Sequence, residues 1–345
     1  MSRRFVVFLL LSVAASSCIA AEPLSGCLRA VSVPIAVRIA GGAPVAALLE
    51  GGIETPLRLV EAATHRQLWS AADHAAIQLF PGMDSAFFGS IAAVDLDADG
   101  LHDRIYAGDI TGRLWRFDVH HGATAPRWTS GGILADFSND VGRGFVAPPD
   151  IALSSPPGAQ PWLNIAIGTA APGNPSASNR FYVVRDHAAF DAWSDEDFAA
   201  LKPIGEADLV KVNGMRGGAE AAHLIDPDSP GWYVELGTGH VVAPALAVNH
   251  RVVLAIAEAI PLTGSCEVLT RIASLELEQG RVVPEASAPD SWSNTLPTPV
   301  LLSDWFVIGP AQAASAPCTL GGQRVPACDV DTRPRRTWWR REDVE

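Results

Sequence analysis

Four aspartates recur at short intervals in one stretch of the sequence. The stretch reads Asp95-Leu96-Asp97-Ala98-Asp99-Gly100-Leu101-His102-Asp103. Its carboxylates occupy positions one, three, five and nine, and Gly100 permits the sharp turn that lets them converge, with the Leu101 carbonyl at position seven. Calcium takes about six to eight hard oxygen ligands in flexible geometry, and water can complete such a set. The spacing therefore predicts a Ca²⁺ site with the ligands Asp95, Asp97, Asp99, Asp103 and the Leu101 carbonyl.

The alternative interpretation of this segment is an Asp-rich surface turn that holds no ion. Four converging carboxylates without a cation would repel one another strongly, which favours a bound divalent ion. Magnesium fits less well, because it favours stricter octahedral geometry and retains its water. The segment is not a helix-loop-helix EF-hand, because Tyr106 stands at position twelve, where a bidentate Glu belongs, and both flanks are strand-like.

The elements that must position this loop are predicted to be repeated β-hairpins. Each unit is an apolar strand followed by a polar turn and, in most cases, a second strand. The units span residues 57–69, 104–118, 180–186 and 271–283. Repeated hairpins with aromatic residues fit propeller blades better than a sandwich. We therefore predict an all-β fold, a quinoprotein-like β-propeller of about six or seven blades with long loop insertions, since a blade takes about 40–50 residues.

The domain boundaries follow from this pattern. We predict a signal peptide at residues 1–20, a segment leading into the propeller at 21–54, the propeller at 55–332, and a basic aromatic tail at 333–345. Residues 186–201 are the best candidate for a helix, because Phe190, Trp193 and Phe198 have helical spacing.

The first twenty residues have the organisation of a secretory signal peptide. Arg3 and Arg4 precede an apolar stretch, and small residues precede Ala21. That apolar run is too short for a transmembrane anchor, which needs about 20 residues, and no later stretch qualifies. Lipidation at Cys18 is the alternative. The pattern predicts an exported protein without a transmembrane segment after processing, located in the periplasm, at the outer membrane surface or outside the cell.

The cysteine count agrees with export. Without Cys18, four cysteines remain: Cys27, Cys266, Cys318 and Cys328. An even number in an oxidising compartment indicates disulfides, and three pairings are possible. The pair Cys318–Cys328 is the easiest to close, because the two residues bracket a Gly-Gly turn.

Composition and motifs narrow the function classes. The formal net charge of −13 argues against a sequence-independent nucleic-acid binder, and the 48% hydrophobic content excludes a disordered chain. No P-loop, GxSxG or dinucleotide fingerprint occurs. The acidic groups at 195–197 and at Asp226 and Asp228 lie in expected loops, and the histidines are scattered. We predict no catalytic residues, no organic cofactor and no enzymatic activity.

Residues 93–109 and 112–118 together resemble the C-terminal β-propeller domain of PilY-type proteins, which are type IV pilus biogenesis factors and tip adhesins. Weaker similarities follow in the same order. They lie at residues 166–169, 181–186, 231–236, 241–244, 260–266 and 336–340. The resemblance implies the same calcium ligands as the spacing does. It also implies a role in pilus biogenesis, surface adhesion and twitching motility, with minor pilins or the pilus tip complex, and host or abiotic surfaces, as partners.

The sequence departs from that family in places. Family members are commonly much longer, with an N-terminal region that in some of them carries a von Willebrand factor A domain. Residues 136–140 only approximate the Asp-x-Ser-x-Ser motif of that domain, and the turn at His65 lacks the expected Gly. The alternative function is a generic extracellular binding module of the FG-GAP (integrin-like) kind, since Phe88-Gly89 resembles that repeat. FG-GAP blades each repeat the Asp-x-Asp-x-Asp-Gly loop, which occurs once here.

Overall fold

The structure, a computed structural model, covers most of the chain between residues 32 and 324. It describes residues 32–52, 56–87, 90–138, 142–171, 174, 176–212, 224–241, 243–262, 265–283, 297–302, 305–310, 319–320 and 323–324. For residues 258–262, 265–271 and those from 297 onward, it describes the backbone alone. The predicted signal peptide, the C-terminal tail, and Cys27, Cys318 and Cys328 lie outside these residues, so export and the disulfide stay predictions.

The first sheet is an antiparallel meander with one added edge strand. Its strands are β1 (Ser32–Val37), β2 (Val45–Gly51), β3 (Leu57–Glu61), β4 (Gln67–Ala72) and β5 (Gln78–Leu79). They follow chain order, and β5 pairs parallel to β4. Apolar side chains alternate along β2 so that one face is buried. Residues 32–51 thus form two strands of this sheet, ahead of the predicted propeller start at residue 55, because β2 pairs with β3 along its length.

The second sheet carries the Asp-rich loop. Its first four strands are β6 (Ile91–Val94), β7 (Arg104–Gly108), β8 (Arg113–Val119) and β9 (Thr129–Asp136). They form another antiparallel meander in chain order. A short 3₁₀ helix, Ala125–Arg127, lies in the connection from β8 to β9.

The third sheet is built around two buried central strands. Its strands are β10 (Gly144–Phe145), β11 (Asp150–Ser154), β12 (Trp162–Ala170), β13 (Asn179–Asp186), β15 (Val210–Lys211) and β16 (Gly231–Gly237). Every residue of β12 is buried, because this strand is covered on both faces. Strand β14 (Ile204–Gly205) leaves this region and pairs parallel with β9 of the second sheet.

The fourth sheet and two hairpins complete the described part of the chain. The sheet contains β17 (His240–Val241), β18 (Leu246–Val248), β19 (Arg251–Leu262) and β20 (Ser265–Glu276). The hairpins are β21 (Pro297–Leu302) with β22 (Trp305–Pro310), and β23 (Thr319–Leu320) with β24 (Gln323–Arg324).

Successive sheets pack face to face along the chain. One apolar cluster joins the first and second sheets, a second joins the second and third, and a third joins the third and fourth. Buried tryptophans contribute to these clusters, including Trp69, Trp115 and Trp232. Sequential antiparallel sheets with cores between neighbours form a propeller-like architecture. The all-β propeller class is therefore confirmed, whereas the predicted number of six or seven blades stays a prediction.

The helix in the predicted 186–201 segment is shorter than expected. Helix α1 covers only Asp195–Ala200. Ser194 caps its first turn, and its Oγ accepts a hydrogen bond from the backbone N–H of Asp197. In the described part of the chain, no helix has the length and apolar character needed to cross a membrane.

Residues 187–194 stay irregular for a physical reason. The backbone carbonyls of Ala188, Ala189 and Asp191 accept hydrogen bonds from the buried guanidinium groups of Arg104 and Arg116. Carbonyls used in this way are not available for the i to i+4 bonds of a helix. Helical spacing of aromatic residues therefore did not produce a helix over the whole segment.

Candidate metal centre

The Asp-rich loop connects two adjacent antiparallel strands, β6 and β7. The last residue of β6, Val94, pairs with the first residue of β7, Arg104. Beyond this pair, the N–H of Asp103 donates to the carbonyl of Val94 at 2.8 Å, and the Asp103 carbonyl accepts from Val119 at 2.7 Å. The sheet therefore fixes both ends of the loop.

Three of the four predicted carboxylates converge. One oxygen from each of Asp95, Asp97 and Asp99 lies within 4.8 Å of the other two. Asp95 is half-buried, whereas Asp97 and Asp99 are exposed. Oxygen atoms at this separation can share one cation.

Backbone hydrogen bonds hold these carboxylates in the turn. The N–H of Gly100 donates to Asp95 Oδ2 at 2.9 Å, and the N–H of Asp99 donates to Asp97 Oδ1 at 3.0 Å. The N–H of Leu101 donates to Asp99 Oδ1 at 2.7 Å. Gly100 has φ +90° and open space where a Cβ would stand, so the conformation and not crowding requires glycine here.

Asp95 has an oxygen atom whose environment fits a cation. Its Oδ1 is buried and has no hydrogen-bond partner. A buried, unsatisfied carboxylate oxygen is costly, and a cation would satisfy it. Among the described residues, no arginine or lysine forms an ion pair with Asp95, Asp97 or Asp99. The residues present therefore fit a hard divalent cation.

The other two predicted ligands occupy the second half of the loop. Asp103 stands outside the group of three converging carboxylates. Its Oδ2 accepts the N–H of Leu96 at 2.6 Å, and its Oδ1 lies 3.6 Å from His121 Nε2. Burial raises the pKa of Asp103, while the Leu96 N–H opposes that shift. The side chain of Leu101 is buried. The roles of Asp103 and the Leu101 carbonyl as ligands stay predictions.

Sequence reasoning missed His102, which joins the loop to the first sheet. Its backbone N–H donates to the Ala36 carbonyl at 2.9 Å, and its Nδ1 accepts the Ala36 N–H at 3.2 Å. Burial lowers the pKa of His102, which keeps Nδ1 available as an acceptor. No local signal could have found this contact, because Ala36 is 66 residues away in the chain.

No known protein family matches the chain by sequence, and no curated protein matches it either. Among solved structures, the C-terminal domain of Pseudomonas aeruginosa PilY1 aligns with a TM-score of 0.51 and 17% identity, over 72% of this chain and 59% of that one. The chain has the fold of that domain.

The likeness to PilY1 is partial in length. The chain spans about three fifths of the PilY1 domain that it matches, 59%. A computationally designed protein, Ika8, aligns with a TM-score of 0.26 and 9% identity over 76% of this chain and 77% of that one, which is too low to inform the fold.

Within this PilY1-like fold, a buried ionic network lies directly beside the loop. Arg104 Nε pairs with Asp118 Oδ1 at 2.6 Å, and Arg116 pairs with Asp118 Oδ2 and with Asp186 Oδ1, each at 2.9 Å. Tyr106 Oη donates to Asp186 Oδ2 at 2.5 Å. Burial raises the pKa of Tyr106 well above its usual value, so the hydroxyl keeps its proton.

Sequence reasoning missed this network as well. All of its side chains are almost fully inaccessible to solvent. The available signal was the placement of Arg116 and Asp118 inside an otherwise apolar strand, since buried charges occur where they are paired.

Two of the acidic residues considered for catalysis have structural contacts. Asp197 Oδ2 accepts the backbone N–H and the hydroxyl of Ser194, which completes the capping box of α1. Asp226 Oδ1 accepts the N–H of Asp228, as in an Asx turn. Phe88 and Gly89, which suggested the FG-GAP alternative, lie outside the described residues.

Proposed function

We propose that this protein is an exported, calcium-binding β-propeller that acts without catalysis in type IV pilus biogenesis, surface adhesion and twitching motility. The observation that carries the proposal is the combination of a PilY1-like fold with an aspartate loop whose buried Asp95 Oδ1 has no partner. The FG-GAP alternative has no supporting observation of its own among the described residues.

The loop is suited to calcium because its parts are already positioned. The strand pair fixes its ends, and three N–H groups each hold one aspartate of the loop. A bound Ca²⁺ would supply the positive charge that offsets the converging carboxylates. Asp95, Asp97 and Asp99 would hold it, with Asp103 and the Leu101 carbonyl completing the set.

The pilus role is supported by the fold and by the predicted signal peptide. Minor pilins or the pilus tip complex are the partners that we propose, and a host or abiotic surface is the target of adhesion. Calcium would stabilise this conformation of the loop, because an ion that binds only one conformation shifts the population towards it. Ala36, which His102 contacts, would then be stabilised together with the loop.

Calorimetric titration tests the calcium site directly. We expect one Ca²⁺ to bind the wild-type chain and Asp97→Asn to lose this binding. Asp73→Asn is the matched control, because Asp73 is an exposed aspartate outside the group. Equal calcium uptake by the wild type and Asp97→Asn would overturn the assignment.

Strain phenotypes test the pilus role. Surface piliation and twitching would be measured in strains that carry a gene deletion or the Asp97→Asn/Asp99→Asn double replacement, with Asp73→Asn as the control. We expect the first two strains to change piliation. If both behave like the parent, the pilus role is wrong even where calcium binding is intact.

A further inference from the structure

A surface pocket of about 370 Å³ lies between the β8–β9 connection and the segment that leads into α1. Its walls include His120, Arg127 and Ser130 on one side and Trp193, Asp195 and Glu196 on the other. Pockets that bind small organic ligands start at about 300 Å³ and combine an aromatic surface with a few polar groups. None of these residues belongs to the Asp-rich loop.

The indole of Trp193 is held in place before any ligand arrives. The Arg116 guanidinium lies 4.0 Å from the ring centroid, and the Phe198 ring contacts it edge-on at 5.2 Å. The backbone N–H of Trp193 donates to Asp118 Oδ2 at 2.9 Å. The ring is therefore anchored on the buried ionic network while part of it stays accessible. Such pre-organisation reduces the entropy lost when a ligand binds.

Polar groups of the pocket are also positioned by contacts across it. Ser130 is buried, lies 2.9 Å from His120 Nε2 through its Oγ, and donates to the Trp193 carbonyl. These bonds tie the β8–β9 connection to the opposite wall. The side chains of Arg127, Asp195 and Glu196 are left exposed at the rim.

The mixture of charges at the rim selects the chemistry of the ligand. Arg127 disfavours a cationic ligand, and the carboxylates of Asp195 and Glu196 disfavour an anionic one. Sugar hydroxyls both donate and accept, so they can pair with a guanidinium and with carboxylates at once. The C–H face of a pyranose ring is apolar and fits against an indole. We propose that this pocket binds a neutral pyranose unit of a glycan.

The proposal does not rest on calcium binding or on the pilus role. Its test is binding of the full chain to an array of glycans that end in neutral pyranoses, followed by calorimetry with the best ligand. We expect Arg127→Ala and Glu196→Gln each to weaken binding by about tenfold or more, since both change exposed side chains that line the pocket. Arg66→Ala, which changes an exposed arginine in the connection between β3 and β4, is the matched control and should bind like the wild type.

Trp193→Phe keeps an aromatic ring and should bind more weakly than the wild type but better than Trp193→Ala. Thermal unfolding of the two Trp193 variants separates loss of the stacking surface from loss of the fold. The proposal would be overturned if the wild type retained no neutral glycan, or if Arg127→Ala and Glu196→Gln both bound the ligand as tightly as the wild type. Cleavage of the bound glycan would also overturn it, because the site would then be catalytic.

Discussion

Two groups of aspartates lie near the start of β7, and they differ in whether they have counter-ions within the protein. Asp118 and Asp186 are inaccessible to solvent and are paired with two arginines. Asp95, Asp97 and Asp99 lie near the surface, and none of them has an arginine or lysine partner among the described residues. Acidic residues with internal counter-ions are already neutralised within the fold, whereas those without counter-ions are available to a cation from outside.

Strand register explains why one group is neutralised. Arg104 lies directly opposite Asp118 in the β7–β8 pair, so the side chains of both residues lie on the same face. Tyr106 lies opposite Arg116 in the same pair, and both reach Asp186 on β13. The loop has no such cross-strand partner, because its residues lie beyond the last paired residues of β6 and β7.

The largest expected effect comes from removing one negative charge from the buried ionic network. Asp186→Asn removes one of two buried negative charges and leaves Arg104 and Arg116 to share Asp118. Breaking a buried ionic network on one side costs about 3–5 kcal/mol of unfolding free energy. Urea unfolding would measure this loss. Asp191→Asn is the control, because Asp191 contributes only its backbone carbonyl to the network and its side chain is exposed. A loss below about 1 kcal/mol for Asp186→Asn would show that the network is not structural.

The second effect concerns the loop and, unlike the first, depends on the calcium concentration. At a free calcium concentration 100 times its dissociation constant, the wild type should gain about 2.7 kcal/mol of unfolding free energy. Asp97→Asn should gain nothing, and in a chelator it should be at least as stable as the wild type, because one repelling carboxylate is gone. Thermal unfolding with calcium and with chelator measures both. A wild type whose stability is indifferent to calcium would overturn the calcium assignment of the loop.

A third and smaller effect distinguishes whether Asp103 is a direct ligand of the ion or only closes the loop. Its Oδ2 closes the loop by accepting the Leu96 N–H, and an asparagine oxygen can accept the same bond. We expect Asp103→Asn to weaken calcium binding by less than about tenfold and Asp103→Ala to weaken it more. Position nine of such loops often contacts the ion through water, which agrees with the milder effect. Calorimetry measures both variants. If Asp103→Asn is as damaging as Asp97→Asn, then Asp103 is a direct ligand.

The loop was predictable from the sequence and the network was not, and the reason is chain distance. The converging carboxylates lie within five residues of one another, so local turn geometry decides their positions. Arg116 and Asp186 are 70 residues apart and meet only because the second and third sheets pack together. The same network kept residues 187–194 from becoming helical, so the predicted helix was too long. Hairpin patterns predicted the propeller class, because a strand pair is also a local structure.

His240 is a third kind of titratable group: among the described residues it forms no ion pair, and burial favours its neutral form. It is half-buried on β17, and burial lowers its pKa, while a backbone contact with Thr238 opposes the shift. The unfolded chain has a histidine pKa of about 6.5. Because the folded value is lower, this contribution to stability is present in full above that pH and is lost as the pH falls below it.

We therefore expect His240→Gln to reduce the loss of unfolding free energy between pH 8 and pH 5 by a small amount, at most about 1.4 kcal/mol for each pH unit below about 6.5. Urea unfolding of the wild type and the variant at both pH values measures the difference, in which the titration of all carboxylates cancels. If His240 were stabilised in its charged form, the wild type would lose less stability than the variant as the pH falls. That result, or equal losses in the two proteins, would contradict the interpretation that burial keeps His240 neutral.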